Sequence, residues 1–183
     1  MDKELIDESF LIEKAREDVE AFGILYLRYV DKIYSYIYYK VGNREDAEDL
    51  TAKVFLRALS HIKNYENRGL PFYAWLHRIA HNLVANWHRD HSRRKVIPLG
   101  ELPVRSGEET DPLSSLEKEE RLRRVMAAVR SLPPDKQEII YLKFVERLSN
   151  QEIAIIMGKT ESAVKALYHR ALVALREKLK GEL

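Results

Sequence analysis

A chain of 183 residues is long enough for one or two small domains, each able to bury its own core. Its 31 basic and 29 acidic side chains leave a formal charge of only +2, so bulk charge points to no partner, and zero cysteines exclude a disulfide framework and a zinc–thiolate site. The sequence shows neither a basic-then-apolar leader nor an apolar run near about twenty residues, which predicts a soluble cytoplasmic protein without membrane insertion.

Charge is spread unevenly: residues 1–60 sum to −4, 61–95 to +5, 96–120 to −5 and 121–183 to +6. Two basic blocks separated by an acidic one suggest two nucleic-acid-facing surfaces rather than one. In chain order, residues 3–15 read as a short, mostly acidic helix. A longer helix follows over 18–41, where Phe22, Leu25, Tyr26, Tyr29, Val30, Ile33 and Ile37 keep helical spacing. Tyr34, Tyr36, Tyr38 and Tyr39 crowd its end; the reading is rings packed at a helix interface with hydroxyls reaching water. Gly42 stops this helix and Asn43 can cap the next.

That next helix, 44–61, carries Ala47, Leu50, Val54 and Ala58 on one side. Glu45, Asp46, Glu48 and Asp49 fill its first turns, at the positive end of the helix dipole. This is good helix-end electrostatics, or equally an acidic surface for a basic partner; spacing does not decide. Residues 64–71 form a loop by their glycine and proline content. A third helix then runs over 72–95, with a buried stripe of Phe72, Leu76, Ala80, Leu83 and Trp87. Its opposite face holds Arg78, Asn82, Asn86, Arg89 and Arg93. Donors along one side, preceded by a loop holding Asn64, Tyr65 and Arg68, can track a phosphate backbone and stack an unpaired base; a solvated basic face fits as well.

The same helix bears His77, His81, His88 and His91, all within about 80° of one another on a helical wheel. A metal site is therefore considered. No Asp or Glu completes a set on that face, and the spacing lacks the glutamate of the metalloprotease helix motif. The reading is partly cationic, phosphate-facing or solvated imidazoles, with no metal. Residues 96–115, rich in proline, glycine, serine and acidic side chains, read as a linker and the domain boundary. Helix returns from Leu116, with Leu122, Val125, Met126 and Val129 in register. Residues 131–134 break it, and Pro133-Pro134 opens another helix through Ile139, Ile140 and Phe144 to Val145.

The C-terminal stretch parses as two helices around a tight turn. Ser149 and Glu152 form a capping box, and Ile153, Ile156 and Met157 a short apolar stripe. Gly158 tolerates a left-handed exit and Thr160 caps the second helix. Val164, Leu167, Tyr168, Ala171, Leu172 and Leu175 form its buried face. Ser162, Lys165, Ala166 and His169 lie opposite, with Arg176 a turn further on. An exposed helix of small, polar and basic residues after a short glycine turn describes a helix-turn-helix whose second helix enters the major groove, although an ordinary helical hairpin shares the pattern. Nothing reads as a strand, so the predicted fold class is all-α: two small helical domains joined by a flexible linker.

Four stretches carry a family resemblance: Arg-Glu-Asp-Ala-Glu-Asp-Leu-Thr-Ala-Lys-Val-Phe-Leu-Arg-Ala (44–58), Phe-Tyr-Ala-Trp-Leu-His-Arg-Ile-Ala-His-Asn-Leu (72–83), Ser-Leu-Pro-Pro-Asp-Lys-Gln-Glu-Ile-Ile-Tyr-Leu-Lys-Phe (131–144), and Leu-Ser-Asn-Gln-Glu-Ile-Ala through His-Arg-Ala (148–171). In order and spacing the chain resembles the extracytoplasmic-function (ECF) group of sigma factors, dissociable promoter-recognition subunits of bacterial RNA polymerase. The resemblance implies a region 2 domain over 1–95, a linker over 96–115 and a region 4 domain over 116–183. It implies docking of helix 44–60 on the clamp helices of the polymerase's largest subunit through Asp46, Asp49 and Lys53. The loop 64–71 would capture a base from the melted minus-ten element, with Asn64, Tyr65 and Arg68 there and Arg78, Asn82, Asn86, Arg89 and Arg93 holding the strand. Region 4 would read the minus-thirty-five duplex through Thr160, Ser162, Lys165, Ala166, His169 and Arg170, while sitting on the flap of the second-largest subunit. An anti-sigma protein is a further implied partner, and the linker would thread toward the active-site and RNA-exit channel.

Two positions depart from the family's habit. Ala52-Lys53 stands where Gln-Glu is common, and Leu167 stands where Arg is common, so contacts pass to Lys165, His169 and Arg170. The expected mechanism is binding, with no catalytic residue and no cofactor. The alternatives are a stand-alone helix-turn-helix regulator, which should bind a palindromic duplex as a dimer, and a metal hydrolase built on the histidines.

Overall fold

The computed structural model describes residues 7–66, 69, 71–91 and 112–180. Among them all regular structure is helical: α1 Glu8–Ala15, α2 Val19–Val41, α3 Arg44–His61, α4 Phe72–His91, α5 Pro112–Arg130, α6 Pro134–Phe144, α7 Asn150–Met157 and α8 Glu161–Lys180, with one 3-10 turn at Ile62–Asn64. Contacts divide the chain into two compact units, one holding α1–α4, the other α5, α6, α8 and most of α7.

In the N-terminal unit local chemistry sets the starts of α2 and α3 and the end of α2. The Asp18 carboxylate accepts the Glu20 N–H at 2.8 Å and starts α2, and Asn43 accepts the Asp46 N–H at 3.1 Å and starts α3. Between them Gly42, at φ +67°, ends α2 in the left-handed conformation and donates its N–H to the Tyr38 carbonyl at 2.8 Å. The helix expected over 3–15 is α1, begun by Asp7; residues 3–6 of that expectation lie outside the described residues.

Helix α2 is the pillar, packed by α1, α3 and α4. That surrounds more than one face, so its buried set is wider than the single stripe read from periodicity. Here the tyrosine expectation is corrected. Tyr36 and Tyr39 are 0% and 1% exposed, so their hydroxyls do not reach water, while half-exposed Tyr34 and Tyr38 stack on each other at 5.9 Å. The α3 stripe Ala47, Leu50, Val54 and Ala58 is buried as predicted, joined by Thr51 and Phe55.

In the C-terminal unit α5 starts at Pro112, four residues before the predicted Leu116, because proline's fixed φ suits a first helical turn. The rest of the stretch predicted as linker, 96–111, lies outside the described residues. The Gln137 amide donates to the Arg130 and Leu132 carbonyls at 3.0 and 2.7 Å, satisfying groups that the end of α5 leaves over. Ala128, Val129, Leu132, Ile139 and Leu142 are buried. Leu122 and Val125, read in register with Val129, are instead exposed, as is Phe144, the last residue of α6.

Candidate nucleic-acid interface

The turn between α7 and α8 is built by local chemistry. The Ser149 N–H donates to the Glu152 carboxylate at 2.6 Å and the Glu152 N–H to the Ser149 hydroxyl at 3.2 Å, the reciprocal pair predicted from sequence. Gly158, at φ +63°, ends α7, with the Lys159 N–H returning to the Ala154 carbonyl at 2.9 Å. Thr160 accepts the Ala163 N–H at 3.2 Å and starts α8. Val164, Leu167 and Ala171 then point inward, each 3% exposed or less. Ser162, Lys165, Ala166, His169 and Arg170 are all exposed on the far side, with Thr160 exposed at their N-terminal edge. Burial of Leu167 leaves the basic work of this face to Lys165, His169 and Arg170. The Lys165 ammonium meets the Glu161 carboxylate at 2.9 Å, so the lysine reaches a phosphate only by leaving an internal partner.

On α4 the row Arg78, Asn82, Asn86 and Arg89 is exposed as one outward face, opposite buried Phe72, Leu76, Ala80 and Leu83. Arg68 and Arg93 lie outside the described residues. Asn64 is exposed at the end of the 3-10 turn. Tyr65, predicted as a stacking platform, is only 8% exposed: its ring lies 5.3 Å from that of Phe72 and 4.7 Å from that of Trp75. It is a wall of an aromatic corner and not a free ring. Half-buried Trp75 is the more accessible member of the corner. Its signal in the sequence was two aromatics three apart, Phe72 and Trp75, of which only the first fits the buried stripe. Burial is the main cause, with the Glu8 charge second, of a Tyr65 hydroxyl pKa above the ordinary phenol value.

The histidine quartet separates. His77 is 0% exposed, its ring 4.0 Å from that of Tyr36 and 5.4 Å from that of Tyr73. It is a core residue, which corrects the expectation of a phosphate-facing or solvated imidazole there. His81 Nδ1 stands 3.4 Å from the Tyr36 hydroxyl. Further along, His88 and His91 both contact Trp87, His91 stacking on it at 4.3 Å. The physical reason is that α2 and α3 both pack on α4, so its buried arc extends into the wheel sector that holds His77. Among the described residues no group of three or more His, Cys, Asp or Glu is placed to hold a metal ion.

On α3, Asp46 is half-exposed and Asp49 and Lys53 are exposed, the last two paired at 2.6 Å. One turn on, Leu56 is 65% exposed. Sequence reasoning passed over it, although a leucine outside the 47/50/54/58 stripe and three residues past Lys53 was legible as an apolar group on the acidic face. No described helix is long and apolar enough to cross a membrane.

The family models for sigma-70 region 2 and sigma-70 region 4 match residues 25–94 and 122–175. The ECF RNA polymerase sigma factor BldN of Streptomyces coelicolor is 41% identical over 173 residues, covering 94% of this chain and 66% of its own length. SigD of Mycobacterium tuberculosis is 32% identical, with 73% of this chain and 63% of its own covered. The chain thus spans just under two thirds of each of these relatives. SigW of Bacillus subtilis is 30% identical, with 89% and 91% covered. Among solved structures, CnrH in complex with the cytosolic domain of CnrY aligns with a TM-score of 0.66 at 24% identity, covering 95% of this chain and 97% of that one. RpoE of Bartonella quintana, in complex with the anti-sigma factor NepR, aligns with 0.66 at 22% identity, covering 87% and 96%. At these identities the structural likeness is one of fold.

Proposed function

Since the chain belongs to the ECF group of the sigma-70 family, we propose that it is a dissociable sigma factor that binds core RNA polymerase, recognises and melts promoter DNA, and starts transcription of a specific gene set. The observation that carries this reading is the presence, in two separately cored units, of two outward helix faces of donors: Ser162, Lys165, His169 and Arg170 on α8, and Arg78, Asn82, Asn86 and Arg89 on α4. The first suits the major groove of the minus-thirty-five duplex; the second, beside the Tyr65–Trp75 corner, suits a separated minus-ten strand. Thr160 and Ala166 complete the duplex face, and Asn64, with Arg68 and Arg93 by sequence, the strand face.

Docking on the polymerase clamp uses Asp46, Asp49 and Lys53 together with exposed Leu56, and region 4 rests on the flap of the second-largest subunit. An anti-sigma protein that holds the factor off polymerase belongs to the same reading. The test is to add the purified protein to sigma-free core polymerase and map transcripts from genomic DNA. New start sites sharing two spaced elements are expected, and no new RNA refutes the reading. Asp49→Arg should lower co-elution with core while leaving the circular dichroism spectrum unchanged; unchanged co-elution removes this surface from the docking site.

A further inference from the structure

Helix α1 precedes the matched region 2 segment, yet Glu8 at its start and Arg16 just past its end act inside that segment. Leu11, Ile12 and Ala15 are buried, and α1 packs on α2. At its start, the Glu8 carboxylate accepts the Phe72 N–H through Oε1 at 2.8 Å and the Tyr29 hydroxyl through Oε2. Just past its end, the Arg16 guanidinium donates to the Tyr65 carbonyl at 2.9 Å. Phe72 N–H is one of the first-turn donors that α4 cannot satisfy within itself, and a carboxylate there also meets the positive end of the helix dipole. Burial first, and then the hydrogen bond and charge of Glu8, raise the Tyr29 hydroxyl pKa above the ordinary phenol value, which keeps it a donor.

We propose that Glu8 and Arg16 are positioning residues for strand capture: α1 is a clasp that fixes Tyr65 and the first turn of α4, and so holds the Tyr65–Phe72–Trp75 corner in the geometry that takes an unpaired base. The inference rests on the sigma-factor reading and adds a residue pair to its minus-ten surface. Glu8 bonds Phe72 and Tyr29 and Arg16 bonds Tyr65 and Glu13, none of them in the outward row of α4, so each acts through another group. The two bonds fix both flanks of one connection, residues 65 and 72, and a corner held before binding spares the entropy of ordering it afterwards.

The experiment uses the full chain, sigma-free core polymerase and a promoter located by mapping the parent protein's transcripts. Opened DNA is read by permanganate reactivity of unpaired thymines, at a temperature where circular dichroism shows every variant folded. Losing a charge-assisted hydrogen bond in Glu8→Ala should reduce open complexes about tenfold, with core co-elution and upstream-duplex affinity changed by less than about twofold. Glu8→Gln, whose amide oxygen still accepts the Phe72 N–H, should recover most of the loss. Arg16→Ala should act in the same direction, and the double variant should lose less than the product of the two, because both bonds hold one connection. Independently of polymerase, amide hydrogen exchange at 72–75 should quicken in Glu8→Ala relative to α3. Unchanged exchange overturns the clasp. So does open-complex formation that is unchanged, or that falls only in step with core binding, or a Glu8→Gln variant no better than Glu8→Ala. A parent protein that opens no DNA with core polymerase refutes the sigma-factor reading itself, and the clasp then has only a structural role, the exchange data showing whether the bonds exist.

Discussion

Lys165 offers the most direct measure of what the outward face of α8 does. Its ammonium is 2.9 Å from Glu161, both on the exposed surface, one turn apart. Such an i, i+4 pair contributes only about 0.3–0.5 kcal/mol, and alanine's helix propensity offsets part of that, so Lys165→Ala should leave stability nearly unchanged. Binding is a different matter. Loss of one phosphate contact lowers the slope of log affinity against log salt by about 0.9. Between about 50 and about 200 mM salt, a fourfold change, the ratio of parent to variant affinity then shrinks by about 3.5-fold, whatever the sequence. If Lys165 instead reads a guanine edge, the cost is about 1–3 kcal/mol on the cognate duplex and absent on a scrambled one. Glu161→Gln supplies the complementary perturbation, since it frees Lys165 and removes a negative charge facing phosphate; affinity should rise, most at low salt. Fluorescence anisotropy with upstream-element duplex from a mapped promoter and with a scrambled duplex, each at four salt concentrations, measures all of this. Parent and Lys165→Ala curves that coincide in both affinity and slope refute the assignment.

Glu152→Ala removes half of the capping box and should destabilise the C-terminal unit by about 0.5–2 kcal/mol, lowering its calorimetric transition and leaving that of the N-terminal unit in place. Adjacent residues of α4 should behave oppositely. His77→Ala, at a fully buried position, should cost about 2–5 kcal/mol of stability without altering the salt slope for single-stranded DNA, whereas exposed Arg78→Ala should spare stability and lower that slope by about 0.7; urea melts and strand titrations read the two effects separately. Asp18 carries a pH prediction. The Glu20 N–H first, and then Lys14, hold its carboxyl below the ordinary 3.8. A depressed folded value means that its contribution is complete above 3.8 and is lost as pH falls through the lower folded value. An NMR titration of the Asp18 carboxyl carbon should show the midpoint below 3.8, and Asp18→Asn, which keeps a capping acceptor, should remove that step from the acid limb of stability.

What was legible in the sequence is what local chemistry decides. Ser149 and Glu152 are three residues apart and can only meet in a helix start, and Gly42, Asn43, Gly158 and Thr160 mark ends for the same reason. The outward rows of α4 and α8 followed from periodicity, because each lies opposite a continuous apolar stripe. Periodicity failed where a helix is packed on more than one side. His77 and Tyr36 belong to α4 and α2, which bury broad arcs, and a single-stripe reading assigned both a wetter place than they have. Tyr65 failed for another reason: its exposure depends on Phe72 and Trp75, which close over its ring across the loop. The bond from Phe72 to Glu8 spans 64 residues, and no local rule connects a carboxylate in the first helix with an N–H in the fourth.

The composition of the α4 row bears on how the proposed factor favours open over closed DNA. Of its four described outward residues two, Asn82 and Asn86, are neutral, so the face draws less on the phosphate attraction that any duplex offers equally. Preference for the opened state must then come from the aromatic corner. Stacking one extruded base is worth about 1–3 kcal/mol, while each base-pair step lost costs on average about 1.4 kcal/mol. One captured base therefore balances the opening of about one or two steps. A bubble of several steps needs further free energy, which contacts between polymerase and the separated strands must provide. On this arithmetic the isolated protein should bind a pre-opened promoter better than a closed one yet not melt the closed one, and any substitution that loosens the corner should be felt most in the opening step.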